Sequence, residues 1–242
     1  MNKLLAGKKV IVVGASSGMG RATASLFAQE GADIVMAARN TSKLLEITRD
    51  LRWTGVKLAV VPTDVLDPEA VNRLISTAVE QMGRIDILIY ATGTNIPRRS
   101  LEVLALQDWQ LLLDTNLSGA FYCTKTVLPV MRQQKDGLII YISSNCVHRP
   151  DTSGVGYQAS KHGLVGLAHG TMEEDKENGI RTTVIFPGLT DTPLLLKRPK
   201  PTPQEILNKA LKPEDVAKAC LFVATLPQRA YVPELILLPS KL

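Results

Sequence analysis

The run Val10-Ile-Val-Val13 leads straight into Gly14-Ala-Ser-Ser-Gly18-Met-Gly20, a junction that restricts the fold severely. Four consecutive apolar residues predict a strand covered on both faces, as in a parallel sheet. A glycine turn from that strand into a helix ending at Gln29-Glu30-Gly31 lets the backbone approach a pyrophosphate. The pyrophosphate charge then sits at the helix N-terminus. The spacing is G-x-x-x-G-x-G rather than the commoner G-x-G-x-x-G, and by itself it also suits a tight structural turn. The strand before it and the helix after it favour nucleotide binding.

The same alternation continues along the chain. Asp33–Ala37, Val56–Val61, Ile85–Tyr90, Leu138–Ile142 and Arg181–Phe186 read as further strands, and Leu235–Leu238 as a candidate seventh. Between them lie helical segments with legible ends. Thr41 is placed to cap one that carries Leu44, Leu45, Ile47 and Leu51. Asp67-Pro68-Glu69 opens another, with a cap, a first-turn proline and an acid beside the dipole; its apolar stripe closes at Gly83. A long helix is expected over 101–132, with Asn116 inside it, where a polar side chain bends or opens the helix. A further helix starts near Tyr157 and stops at Asn178-Gly179. The implied fold is α/β, a doubly wound, Rossmann-like parallel sheet of about seven strands with helices on both faces. One domain over residues 1–242 is expected, with the basic segment 194–211 as a substrate lid.

Charge and cysteine content narrow the function classes. The net charge of +5 is spread among acids with no dense basic block, which argues for solubility and against a nucleic-acid partner. Cys123, Cys146 and Cys220 lie far apart without metal-ligand spacing, so no metal site is expected and a reduced, cytoplasmic setting is. No apolar run approaches the ~20 residues that cross a bilayer, so no membrane partner is expected either.

Two local patterns carry chemistry. Tyr157 and Lys161 stand four residues apart, on one face of a helix. A free phenol has a pKa near ~10, and a neighbouring ammonium is expected to draw it towards the working range. Alone, the pair reads by default as a solvated helix face. At the end of the second strand comes Ala38-Arg39-Asn40, with no acid between Met36 and Asn40. An acid there would hold the ribose 2′-hydroxyl of NAD, whereas an arginine pairs with the 2′-phosphate of NADP. Arg39 therefore points to NADP(H) over NAD(H).

Taken in order, Gly14-x-x-x-Gly18-x-Gly20, Asp64, Asn116, Ser144, Tyr157-x-x-x-Lys161 and Pro187-Gly188 resemble the short-chain dehydrogenase/reductase family, in its single-domain form. The thirteen-residue separation of serine and tyrosine selects Ser144 over Ser143. The resemblance implies an oxidoreductase that interconverts a carbonyl and an alcohol by hydride transfer, on a ketone, aldehyde or 3-oxoacyl group. Tyr157 would be general acid or base, Lys161 would tune it and hold the nicotinamide ribose, and Ser144 would bond the substrate oxygen. Asn116 would position a water in a proton relay behind Lys161. For the cofactor the resemblance implies Gly14, Ser16, Ser17, Gly18, Met19 and Gly20 at the phosphates, and Asp64 and Val65 at the adenine. It implies Ala91, Gly93, Pro187, Gly188, Thr190 and Thr192 around the nicotinamide half.

The chain departs from the family pattern at three places. Val13 replaces a threonine, Tyr90-Ala91-Thr92-Gly93 replaces Asn-Asn-Ala-Gly, and the C-terminus reads Tyr231-Val-Pro-Glu-Leu-Ile-Leu-Leu-Pro. A competing reading is a dinucleotide-binding regulatory or scaffold protein without turnover, which loss of Tyr157 or Lys161 would have favoured. By the same resemblance a homodimer or homotetramer is expected, with Leu111, Leu112, Leu117, Leu164, Val165 and Leu167 available to an interface or equally to the core. Arg98, Arg99, Lys197, Arg198 and Lys200 flank the expected pocket mouth, as binding groups or as solvated loop.

Overall fold

The computed structural model describes residues 3–242. Seven strands form one parallel sheet in the order β3-β2-β1-β4-β5-β6-β7. They are β1 (Lys9–Val13), β2 (Asp33–Ala38), β3 (Leu58–Pro62), β4 (Ile87–Tyr90), β5 (Gly137–Ile142), β6 (Ile180–Pro187) and β7 (Glu234–Leu237). The apolar runs form strands because the central ones are covered on both sides: β4 and β5 are buried at every residue. Val12 pairs with Met36 on one side and Ile89 on the other, and that register brings the C-terminal ends of β1, β4 and β5 together.

Helices α1 (Gly18–Gln29), α2 (Thr41–Asp50) and α8 (Pro213–Ala224) cover one face, where Phe27, Leu44, Ile47 and Val216 close over Val10, Val12, Ile34 and Met36. The other face carries α3 (Pro68–Met82), α5 (Gly119–Gln134) and α6 (Val155–Asp175), with Leu74, Val127 and Leu164 against Ile11, Leu88 and Ile139. Each such fully buried aliphatic side chain contributes roughly 1.5–3 kcal/mol over leaving it in water. The start of α3 follows the expected signals, with Asp67 accepting the Glu69 N–H at 2.9 Å. At α2 the cap is one residue earlier than expected: the Asn40 side chain accepts the Lys43 N–H at 3.0 Å, and Thr41 is the first helical residue.

The helix expected over 101–132 is three pieces. Residues 101–105 are turn and extended chain, α4 spans Leu106–Leu113, a π-helical turn spans Asp114–Ser118, and α5 follows. Asn116 opens the helix, as anticipated for a polar side chain there, and it is fully buried rather than solvent-facing. Segment 194–211 is ordered by a 3-10 turn over Pro193–Lys197 and by α7 (Gln204–Leu207), and Leu211 N–H donates to Leu189 O at 2.9 Å. Of the six apolar residues that suited either an interface or the core, Leu112 and Leu164 belong to this chain's own interior. Leu117, Val165 and Leu167 pack partly against it, and only Leu111 of the six is exposed. Among the described residues no helix is long and apolar enough to span a membrane, and Cys123, Cys146 and Cys220 are buried free thiols.

Candidate active site

Strand order reverses between β1 and β4, and a cleft of about 760 Å³ opens there at the C-terminal edge of the sheet. Gly14, Ser16, Ser17, Gly18, Met19, Arg39, Asp64, Val65, Ala91, Gly93, Tyr157, Lys161 and Thr192 all line it, so most of the residues singled out by the sequence share one cleft. Gly20, Asn116, Ser144, Pro187, Gly188 and Thr190 do not. Gly20 lies behind the turn, where an added Cβ would sit 2.8 Å from Gly14 C. Thr190 is 6% exposed and its hydroxyl donates to Gly188 O at 3.0 Å, which commits it to its own loop.

The local chain at Gly14 fits an extended phosphate-bearing ligand. Its φ of +89° excludes most side chains, and a Cβ there would lie 2.8 Å from both Ala91 C and Thr92 N. Ser17 at the start of α1 makes no side-chain capping bond, and the first turn holds no acid. The leading N–H groups and the positive end of the helix dipole therefore meet the cleft unopposed. At the far end Arg39 is exposed beside Asn40, Thr41 and Ser42, three cleft residues that sequence reasoning left out. Their signal was present, because a helix start directly after β2 brings its first turn to the sheet edge.

Tyr157 and Lys161 follow each other on α6, both buried, with Lys161 Nζ 5.7 Å from the phenol ring centroid. Lys161 Nζ donates to Ile142 O at 3.0 Å, at the end of β5. Burial lowers the Lys161 pKa to about 8, with the nearby Cys146 acting the other way. Burial likewise pushes the Tyr157 phenol up, helped by Cys146 and Asp151, while the Ser144 hydroxyl and the Arg99 charge act in the opposite direction. The expected drop in the phenol's pKa is thus not the balance in this structure: desolvation outweighs the favourable neighbours. Ser144 sits just outside the cleft wall, with Oγ accepting the Cys146 N–H at 3.3 Å.

Asn116 clasps the loop after β4. Its Oδ1 accepts Thr94 N–H at 2.7 Å, and its Nδ2 donates to Thr94 O at 3.0 Å and to Ser160 Oγ at 2.9 Å. The loop so held passes close to Lys161, since a Cβ on Gly93 would lie 3.3 Å from Lys161 Nζ and 3.6 Å from Asn116 Oδ1. Thr94, also absent from the sequence reading, takes a 2.6 Å hydrogen bond from Lys197 Nζ, which joins segment 194–211 to the opposite bank. Where the family pattern has asparagines, the buried Tyr90 hydroxyl donates to Thr115 O at 2.6 Å, tying β4 to the π turn.

A doubly wound parallel sheet with a glycine-built cleft at its switch point defines a nucleotide-binding α/β protein. Known proteins narrow that class. The profile of the family described as short chain dehydrogenase matches residues 8–202, and the chain belongs to that family, which makes it an oxidoreductase. An uncharacterized oxidoreductase of Staphylococcus aureus strain MRSA252 is 34% identical over 236 residues, covering 98% of this chain and 99% of the relative. Among solved structures, an alcohol dehydrogenase from the archaeon Thermococcus sibiricus, complexed with 5-hydroxy-NADP, superposes with TM-score 0.86 at 27% identity, over 95% of each chain. A metagenomic short-chain oxidoreductase in complex with NADP gives TM-score 0.84 at 26% identity, over 98% of this chain and 99% of that one.

Proposed function

We propose that this chain is an NADP(H)-dependent reductase or dehydrogenase that interconverts a carbonyl compound and an alcohol. The observation that carries the proposal is the convergence of Tyr157 and Lys161 on one wall of the cleft, with Ser144 beside them. The bound nicotinamide supplies or accepts the hydride. The chain's own residues do the rest. The Ser144 hydroxyl donates to the substrate oxygen as negative charge grows on it. The Tyr157 phenol gives that oxygen a proton in reduction and recovers one in oxidation. Lys161 holds positive charge beside the phenol and offers its remaining donors to the cofactor ribose. Asn116 positions the loop carrying Gly93 and Thr94, and through it the space behind Lys161.

Arg39 at the end of β2, with no acid from Met36 to Asn40, supports NADP(H), and two similar solved structures carry NADP or a derivative of it. Lys197 bridging to Thr94 supports segment 194–211 as a lid that closes over substrate within one catalytic domain. Assembly into a dimer or tetramer through the helical segments that carry Asn116 and Tyr157 is the expected quaternary state; a monomer by light scattering at micromolar concentration would contradict it.

The test is oxidation of NADPH, with NADH in parallel, across ketones, aldehydes and 3-oxoacyl thioesters. Turnover with a clear preference for NADPH is expected. Equal or better rates with NADH would refute the role of Arg39, and tight cofactor binding with no turnover on any carbonyl would favour a non-catalytic binding protein.

A further inference from the structure

A second cavity, of about 680 Å³, opens at the N-terminal end of α6, between Arg98 and Arg99 on one side and Asp151, Gly154, Val155 and Gln158 on the other. Glycine at 154 makes room for the arginine stem, since a Cβ there would lie 2.8 Å from Arg99 Cβ and 3.0 Å from Arg99 Cγ. Arg99 Nε is buried and has no hydrogen-bond partner. Among the described residues the arginine salt bridges belong to Arg21, Arg73, Arg84 and Arg132, so neither Arg99 nor Arg198 has a carboxylate partner.

Arg99 and Arg198 nevertheless lie within each other's field. Burial first, and Arg198 second, lower the Arg99 pKa, while Asp151 opposes them. Asp151 is exposed and its Oδ1 already accepts the Ser153 N–H at 2.8 Å, and Arg198 is held by Thr202 Oγ1 at 3.2 Å. A half-buried guanidinium near a second one, with a buried donor that has no partner, is completed by an anion that supplies the missing acceptor. The fork of Arg99 matches the oxygens of a carboxylate or phosphate. Gly154, against which the Arg99 stem packs, lies three residues before Tyr157 at the start of the same helix, and the Arg99 charge favours the Tyr157 phenolate.

We infer that Arg99, assisted by Arg198, binds an anionic group on the substrate, so that the carbonyl compound is an oxo acid or oxo phosphate with its negative end in this second cavity. This inference rests on the carbonyl-reducing reading for the position of the reacting carbon, and its test separates the two.

The NADP-loaded protein is titrated calorimetrically, at low salt, with oxo carboxylates of increasing chain length, with the matching oxoalkyl phosphates, and with the neutral methyl esters of the acids. Reduction of the same compounds by NADPH is followed alongside. At the best chain length an anion is expected to bind, and to show kcat/KM, about 10-fold or more above its neutral ester. Arg99→Gln and Arg198→Gln should each bring that ratio towards one, and Arg99→Lys should retain part of it. A carboxylate-only or phosphate-only advantage names the oxyanion. Arg99-dependent anion binding with no carbonyl turned over would leave this site standing and sink the reductase reading. Acid and ester that bind and react equally in the parent protein would overturn the anion site and leave the reductase reading intact.

Discussion

Tyr90 and Gly119 offer a sharp test of how this chain compensates for its altered strand-four sequence. Tyr90 is fully buried, and its hydroxyl donates to Thr115 O, inside the π turn that presents Asn116. Tyr90→Phe keeps the ring and removes this hydrogen bond, leaving a carbonyl short of a donor in the interior. Such a loss costs about 1–3 kcal/mol, and in a chain of this length each kcal/mol lowers Tm by roughly 2–4 °C. Gly119→Ala attacks the same contact from the other side. Its Cβ would lie 2.6 Å from Tyr90 Oη and 2.8 Å from Val65 Cβ, a crowding worth about 1–3 kcal/mol. In the double variant the missing hydroxyl opens the space that the alanine needs, although the Val65 contact remains. Urea unfolding of the parent, both single variants and the double should therefore show destabilisation that falls short of additive by about 0.5–1.5 kcal/mol. Strict additivity, or a Tyr90→Phe protein as stable as the parent, would refute the claim that this hydroxyl braces the π turn.

Two further outcomes follow from the site. Lys161 is already lowered to about 8, so its ammonium is present below that value and lost as pH rises through it, while the raised Tyr157 stays protonated. Reductive kcat/KM should accordingly be level near neutrality and fall above about pH 8, and a rate that climbs through that range would contradict the assignment. Limited proteolysis between residues 194 and 211 should slow when cofactor and a substrate analogue are bound, and more weakly in Lys197→Ala, which lacks the bond to Thr94. Equal cleavage with and without ligands would remove the lid.

Much of the architecture was legible because the chemistry is local. The runs at Val10–Val13 and Leu138–Ile142 announce buried parallel strands, since a sheet covered on both faces needs no polar alternation. Asp67-Pro68-Glu69 announces a helix start through atoms no more than two residues apart. The glycine turn shows in the sequence for the same reason. What stayed hidden depends on distant partners. Asn116 is explained by Thr94, 22 residues earlier, and Lys197 by Thr94, 103 residues away. Leu112 and Leu164 read alike as interface or interior until the packing of α4 and α6 buries them. The one-residue error at the start of α2 reflects two adjacent residues, Asn40 and Thr41, that are both good caps. The Tyr157 pKa misled for a different reason. Sequence shows the neighbouring lysine, whereas the burial that pushes the phenol up belongs to the assembled fold.

The central claim is that Tyr157 delivers the proton to the substrate oxygen. It is tested most directly by comparing Tyr157→Phe with the parent in two measurements on the same preparation, NADPH affinity and kcat for the best carbonyl substrate. The variant keeps the ring, its packing and the lysine beside it. NADPH affinity within about threefold of the parent, with kcat lowered by roughly 10²–10⁴, is the predicted result. A Tyr157→Phe protein that binds NADPH normally and still reduces the carbonyl at the parent's rate would contradict the account.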